Sequence, residues 1–250
     1  MNNHPVNFLS PAAISDNFLS NQWPMANHTA PWHPISTTTQ DWIMKHSTPT
    51  DYYFNQFGYR DRNWTSQDLN NSIWCIGDSQ TVGMGVEHSK IWSSALSKLL
   101  ELPTINLGIA GASNDTITRT LVSALQFAVP KAVLCLLSAP NRREILNDQD
   151  SITLMPTSLK YFSKVVSANA FEQYLNSTDV KSDYVNRDKN ILIMENICKS
   201  KNVPILIFDF NIRVSELAKS YDIAADGLHI GSKIHQDIAD FCSNKLKTML

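Results

Sequence analysis

Three short apolar runs constrain the fold of this chain more than any other feature: Ile73-Trp74-Cys75-Ile76, Ala132-Val133-Leu134-Cys135-Leu136-Leu137 and Val203-Pro204-Ile205-Leu206-Ile207-Phe208. Each is too short for a helix and too uniformly apolar for a strand with one wet face. That is the pattern of strands buried on both faces of a parallel sheet. Helical patterns lie between them. Residues 91–100 place Trp92, Ala95, Leu96 and Leu99 on one face. Residues 115–128, 188–201 and 234–246 read as further helices, and Ile105-Asn106-Leu107 as a short strand. Strands alternating with helices predict an α/β protein whose parallel sheet is covered on both sides. Such sheets bind ligands at the rim formed by the carboxyl ends of their strands.

The first run stops at Gly77-Asp78-Ser79-Gln80-Thr81, with Gly83 and Gly85 close behind, so Ser79 falls at that rim. Gly-Asp-Ser also makes ordinary turns, and a nucleophile needs a base. Ala225-Asp226-Gly227-Leu228-His229 offers one. An Asp three residues before a His, with Gly between, can lie on one tight turn and face one cleft. In a Ser/His/Asp relay the imidazole takes the serine proton and the carboxylate orients the ring. An Asp-x-x-His alone is more often a surface turn; beside the Ser79 loop the catalytic reading is preferred. Glycine usage agrees, because Gly77, Gly83, Gly85, Gly108, Gly111, Gly227 and Gly231, all but one of the glycines, fall in three candidate loops. Glycine permits close backbone approach there, although loops collect glycine in any case.

On these motifs the chain resembles the SGNH/GDSL hydrolase family (GDSL-like esterases and lipases) over residues 72–245. The resemblance implies a three-layer α/β/α sandwich with a flavodoxin-like parallel sheet. It implies Ser79 as nucleophile, His229 as base and Asp226 as its partner. The family glycine maps to Gly111 in Asn106-Leu107-Gly108-Ile109-Ala110-Gly111-Ala112-Ser113, and the family asparagine to Asn141 in Ser138-Ala139-Pro140-Asn141-Arg142. An oxyanion would then be held by the backbone N–H groups of Ser79 and Gly111 and the amide of Asn141. The chain departs from the family's Gly-x-Asn-Asp, with Ala139 for the Gly and Arg142 for the Asp. Asn114-Asp115 also carries the Asn-Asp pair, but it precedes a helical stretch, where Asn114 is expected as a cap. The implied activity is ester hydrolysis through an acyl-enzyme, on short acyl or acetyl esters that include carbohydrate esters. An O-acetyltransferase using the same residues, or a catalytically silent binding or structural protein, remains an alternative. No metal or organic cofactor is expected.

Arg142 and Arg143 flank Asn141 and have two readings. Either their guanidinium groups recognise an anionic part of the substrate, or they form structural ion pairs with Glu144 or a nearby Asp. Residues 143–185 carry mixed polar and aromatic helical patterns (Tyr161, Phe162, Phe171, Tyr174) and read as a helical insertion bordering the pocket. Residues 1–70 read as an irregular extension and 71–250 as the catalytic domain. Residues 1–50 hold six of the eleven prolines, yet Trp23, Trp32, Trp42 and Trp64 argue against disorder throughout. The extension is expected to wrap the catalytic domain or to form a subunit contact in a homo-oligomer. Asn55-Gln56-Phe57-Gly58-Tyr59-Arg60-Asp61 resembles a segment preceding the serine motif in some carbohydrate-active relatives.

A net charge of −2 offers no basic stripe for nucleic acid. Cys75 and Cys135 lie inside buried runs, where a thiol acts as a small hydrophobe. His28 and His33 read as loop residues, and no Cys/His spacing fits zinc. Met1-Asn2-Asn3-His4-Pro5 lacks the features of a secretory leader, and no apolar run is long enough for a membrane span. The expectation is a cytoplasmic or virion-associated protein acting on a small-molecule or glycan ester, with neither nucleic acid nor membrane as partner.

Overall fold

The computed structural model describes residues 29–31, 51–55, 57–146, 151–154, 179–209 and 229–249, with isolated positions at 169, 172, 173, 176, 222 and 224. Strands β1 (Thr29–Pro31) and β2 (Asp51–Tyr53) pair antiparallel, Thr29 opposite Tyr53. Helix α1 (Ser66–Asn71) opens on a reciprocal cap. The Thr65 hydroxyl accepts the Asp68 N–H, and the Asp68 carboxylate accepts the Thr65 N–H. Strand β3 (Ile73–Gly77) runs directly into the one-turn helix α2 (Ser79–Val82). Then come α3 (Trp92–Leu100), β4 (Thr104–Gly108), α4 (Asn114–Ala124) and β5 (Ala132–Leu137). An antiparallel strand pair, β6 (Arg143–Leu146) and β7 (Ser151–Leu154), precedes α5 (Val180–Ser200), β8 (Ile205–Asp209) and α6 (Ser232–Leu246).

The main sheet has the order β4-β3-β5-β8, every pair parallel. Counted along the chain this is 2-1-3-4, the flavodoxin-like winding, whose direction reverses between the first and third strands. Alternate side chains leave the sheet on opposite sides. Trp74, Ile76, Ile105, Leu107, Val133 and Cys135 pack with Ile117 and Leu121 of α4 and Met194 and Cys198 of α5. Ile73, Cys75, Leu134, Leu136 and Phe208 pack with Trp92 and Leu96 of α3 and Ile234 and Ile238 of α6. Helices on both faces make the three layers expected. All four cysteines are free and buried. Tyr59, Trp64 and Leu69, which precede the division at residue 70, belong to the same core cluster as β3.

Two elements differ from the sequence reading. Residues 143–146 and 151–154 pair as strands where a helical insertion was expected. Glu144 is drawn to α4, where it accepts from Thr116 and Arg119, a tertiary contact that no local periodicity records. Helix α5 also begins at Val180, well before residue 188, because Asp179 caps it by accepting the Ser182 N–H at 2.6 Å. Its first turns carry exposed Val180 and Val185 and so show no apolar stripe. The aromatic residues 161, 162, 171 and 174, Trp23, Trp32, Trp42, His28 and His33 lie outside the described residues or have undescribed side chains.

Helix α3 lacks a side-chain cap of its own, and α6 provides a substitute across the layer. His235 Nδ1 accepts the Trp92 N–H at 3.1 Å, so the neutral ring carries its proton on Nε2. Burial, with the charges of Arg60 and His229, lowers this histidine from 6.5 to about 3. Between those values the unfolded chain binds a proton that the folded one does not. The contribution is therefore full above pH 6.5 and is lost as pH falls toward 3. We expect the folding equilibrium to weaken by about tenfold per pH unit there from this group alone. In urea unfolding at pH 7 and pH 4.5, His235→Gln should reduce the pH dependence by about one proton; an unchanged slope would contradict this assignment.

Candidate active site

Ser79 and His229, 150 residues apart, meet with Oγ and Nε2 at 2.9 Å. Each is held by its neighbours. Ser79 begins α2 immediately after β3, and Asp78 caps that turn by accepting the Gln80 N–H at 3.0 Å. Gln80 Oε1 in turn accepts the Ile230 N–H at 3.2 Å, binding the residue after the serine to the residue after the histidine. The histidine loop is closed by Ala224 N–H on the His229 carbonyl at 2.8 Å and Gly231 N–H on the Asp222 carbonyl at 2.9 Å. Asp222 Oδ2 accepts the Ile234 N–H at 2.9 Å, anchoring the loop to the first turn of α6. Asp226 lies outside the described residues. With the ring proton on Nδ1, the serine hydroxyl donates to Nε2, the arrangement that allows proton removal as Oγ attacks.

The sheet order brings the loops that carry the other candidates to the same rim. Strand β3 lies between β4 and β5, so the loops after all three emerge side by side. Gly111 follows β4 with φ +77, and a Cβ built on it meets nothing within 4 Å. Glycine is needed there for backbone conformation rather than for space. Asn141 follows β5 and is exposed, within a turn closed by Arg142 N–H on the Ala139 carbonyl at 3.2 Å. Pro140 takes the second position of that turn, where its fixed φ is favoured. Among the described residues, the Ser79 and Gly111 N–H groups and the Asn141 amide have no hydrogen-bond partner.

Both arginines engage protein carboxylates. Arg142 Nη1 lies 2.9 Å from Asp78 Oδ2, and Arg143 Nη2 lies 2.7 Å from Asp183 Oδ1. Glu144, the other partner considered, pairs with Arg119 at 2.8 Å. The cap of α4 is Ser113, which accepts the Thr116 N–H at 3.1 Å. Asn114 was expected in that role. Instead its buried amide donates to the Ser138 carbonyl at 3.0 Å and accepts the Ser138 N–H at 2.9 Å, pinning the loop after β5. Among the described residues no three of His, Cys, Asp and Glu form a group able to hold a metal ion. No helix among them is long and apolar enough to cross a membrane.

A set of struts under Ser79 was not found by sequence reasoning. Arg60, 1% exposed, donates to the carbonyls of Val82 and Gly83 through Nη1 and to that of Val86 at 2.7 Å through Nη2. Its guanidinium lies 4.1 Å from the Tyr52 ring centroid, and the Tyr52 hydroxyl accepts the Gly85 N–H at 2.6 Å. Burial lowers the guanidinium to about 10, so it remains charged at neutral pH. Asp61 accepts the Asn106 N–H at 2.8 Å, and Asn106 Nδ2 donates to the Thr81 carbonyl at 2.9 Å. Burial raises the Asp61 carboxyl above its ordinary range against these bonds. The Tyr59-Arg60-Asp61 signal was visible, but its target is 22 to 26 residues away for Arg60. Removing Arg60 as Arg60→Ala strands three buried carbonyls, at ~1–3 kcal/mol each. We expect urea unfolding to show a loss of ~3 kcal/mol or more, partly restored in Arg60→Lys; an unmoved midpoint would refute the strut.

No family model matches the chain, and no curated protein matches it. Solved structures resemble it at low identity. A psychrotrophic esterase, EstA, from Pseudoalteromonas sp. is 19% identical with a TM-score of 0.43, covering 72% of this chain and 98% of its own. A putative lipolytic protein of the G-D-S-L family from Desulfitobacterium hafniense is 14% identical with a TM-score of 0.37, covering 70% and 99%. Est24, a carbohydrate acetylesterase from Sinorhizobium meliloti, is 12% identical with a TM-score of 0.35, covering 72% and 100%. At these values the chemistry has to be read from the residues of this chain.

Proposed function

We propose that this chain is a serine hydrolase of the SGNH/GDSL type that cleaves carboxylic esters of short acyl chains through an acyl-enzyme. The observation that carries the reading is the 2.9 Å contact between Ser79 Oγ and His229 Nε2, at the carboxyl rim of the sheet. Serine is a weak nucleophile until a base removes its proton. In the first half-reaction Oγ attacks the ester carbonyl carbon as its proton passes to His229 Nε2. The tetrahedral oxygen takes hydrogen bonds from the N–H groups of Ser79 and Gly111 and from Asn141 Nδ2. Collapse breaks the bond to the alcohol, which leaves with the proton from Nε2. Water then attacks the acyl-serine by the same path, giving the carboxylic acid and restoring Ser79. Asp226 is the carboxylate we assign to the Nδ1–H of His229, where it holds the ring and stabilises the imidazolium.

The test begins with a fluorophosphonate probe, which reports an activated serine without assuming a substrate. Wild type should label and Ser79→Ala should not. Hydrolysis of p-nitrophenyl acetate should follow the same pattern, and an acetylated sugar as second substrate separates general from carbohydrate-directed activity. In Asn141→Ala we expect kcat to fall by roughly 10²-fold with folding intact, the usual cost of one oxyanion donor. An unlabelled wild type would favour a silent protein on the same fold. Unchanged turnover in Asn141→Ala would remove that residue from the site.

A further inference from the structure

Four arginines stand near the carboxyl rim, each paired with a carboxylate: Arg119 with Glu144, Arg142 with Asp78, Arg143 with Asp183 and Arg187 with Asp209. Arg142 differs from the others in what its end group joins. Its Nη1 alone lies 2.9 Å from Asp78 Oδ2, 3.0 Å from Ser138 Oγ and 3.4 Å from the Ala112 carbonyl. Those atoms belong to the loops after β3, β5 and β4. Each assigned oxyanion donor is one residue from an atom or residue in this junction. Ser79 follows Asp78, Gly111 precedes Ala112, and Asn141 precedes Arg142 itself.

We propose that Arg142 is the positioning residue of the oxyanion site, a single nitrogen that fixes the spacing of the three donors; this rests on the hydrolase reading above. The contact set is geometric rather than a source of free positive charge, because Asp78 neutralises the guanidinium at the junction. The same Asp78 caps α2 through its other oxygen, so the pull of Arg142 on Oδ2 is passed to the turn that carries Ser79. On the β4 side the Ala112 N–H is already bound to the Ile109 carbonyl at 3.1 Å. The Arg142 contact therefore grips a folded turn, with Gly111 inside it. On the β5 side Ser138 is held at both its backbone groups by Asn114, which gives the junction a rigid post. Oxyanion donors work only when aimed in advance at the position that the charged oxygen will occupy. A misplacement of about an ångström can cost on the order of 10²-fold. Arg142 itself need not touch substrate.

The test compares wild type, Arg142→Gln and Arg142→Lys in steady-state hydrolysis of p-nitrophenyl acetate and in inhibition by a trifluoromethyl ketone, which forms an oxyanion on Ser79. We expect kcat in Arg142→Gln to fall by roughly 10²-fold with KM within about threefold. The inhibition constant should weaken by the same factor as kcat/KM, since both report the oxyanion position. Arg142→Lys should recover part of both together. A merely structural role would lower the folded fraction, and with it the apparent kcat, without moving the inhibition constant of the molecules that remain folded. Retained kcat in Arg142→Gln, or lost kcat with an unmoved inhibition constant, would overturn the inference while leaving the hydrolase reading intact. If Arg142→Gln does not fold, the Lys variant decides on the same two quantities. Absence of fluorophosphonate labelling in wild type would overturn the hydrolase reading and this inference with it.

Discussion

A helix of one turn cannot hold itself, and the proposed nucleophile stands on one. Helix α2 spans only Ser79–Val82, too short for the internal bonds that stabilise a longer helix. Its own bonds are few, chiefly Val82 N–H to the Asp78 carbonyl and Gly83 N–H to the Ser79 carbonyl, and further polar groups are met by side chains. Asp78 takes an N–H at its start, Asn106 takes the Thr81 carbonyl, and Arg60 takes those of Val82 and Gly83. The position of Ser79 is thus set by residues from three separate stretches of chain. The packing of β4 against β3 reinforces this. A Cβ on Gly108 would come within 2.5 Å of the Val82 nitrogen, so only glycine lets the second strand approach the serine turn.

The charges around the site follow the same logic. A guanidinium taken out of water costs several kcal/mol unless its donors are met. Arg60 answers this with carbonyl oxygens and an aromatic face, and the rim arginines answer it with carboxylates. Arg142, neutralised by Asp78, ties together the loops after β3, β4 and β5, while the N–H groups of Ser79 and Gly111 have no hydrogen-bond partner among the described residues. A site that stabilises a transient negative oxygen needs donors that are free before the reaction and cannot relax afterwards. The pairing of Arg142 and Arg143 agrees with the ion-pair reading of these residues. In that reading their contribution is to shape rather than to attraction of an anion.

Much of the framework was legible because it is written in local pattern. The runs at 73–76 and 132–137 are strands, the third run begins two residues later as Ile205–Asp209, and the helices at 92–100 and 232–246 match within two residues. Ser79 and His229 were legible as motifs rather than as contacts, since nothing local says that residues 150 apart will touch. Arg60, Asp61 and Asn114 were not legible as struts. Their partners lie on other elements, and a buried arginine looks the same in sequence as a solvated one. Asn114 was misjudged for a related reason. Its neighbour Ser113 satisfies the cap, which frees the amide for Ser138. The strand pair 143–146 and 151–154 escaped because Glu144 is placed by Arg119, and four-residue strands carry too little periodicity to compete with a helical reading.

The central claim is that loops after three adjacent strands assemble one oxyanion site around Ser79. A crystal structure of the protein after reaction with a small phosphonate tests it most directly, because the phosphonyl oxygen marks where the oxyanion is proposed to form. The account predicts phosphorus bonded to Ser79 Oγ and one phosphonyl oxygen within hydrogen-bonding distance of three donors: the N–H groups of Ser79 and Gly111 and the side-chain amide of Asn141. A phosphonylated Ser79 whose oxygen turns to solvent, with Gly111 and Asn141 out of reach, would contradict it.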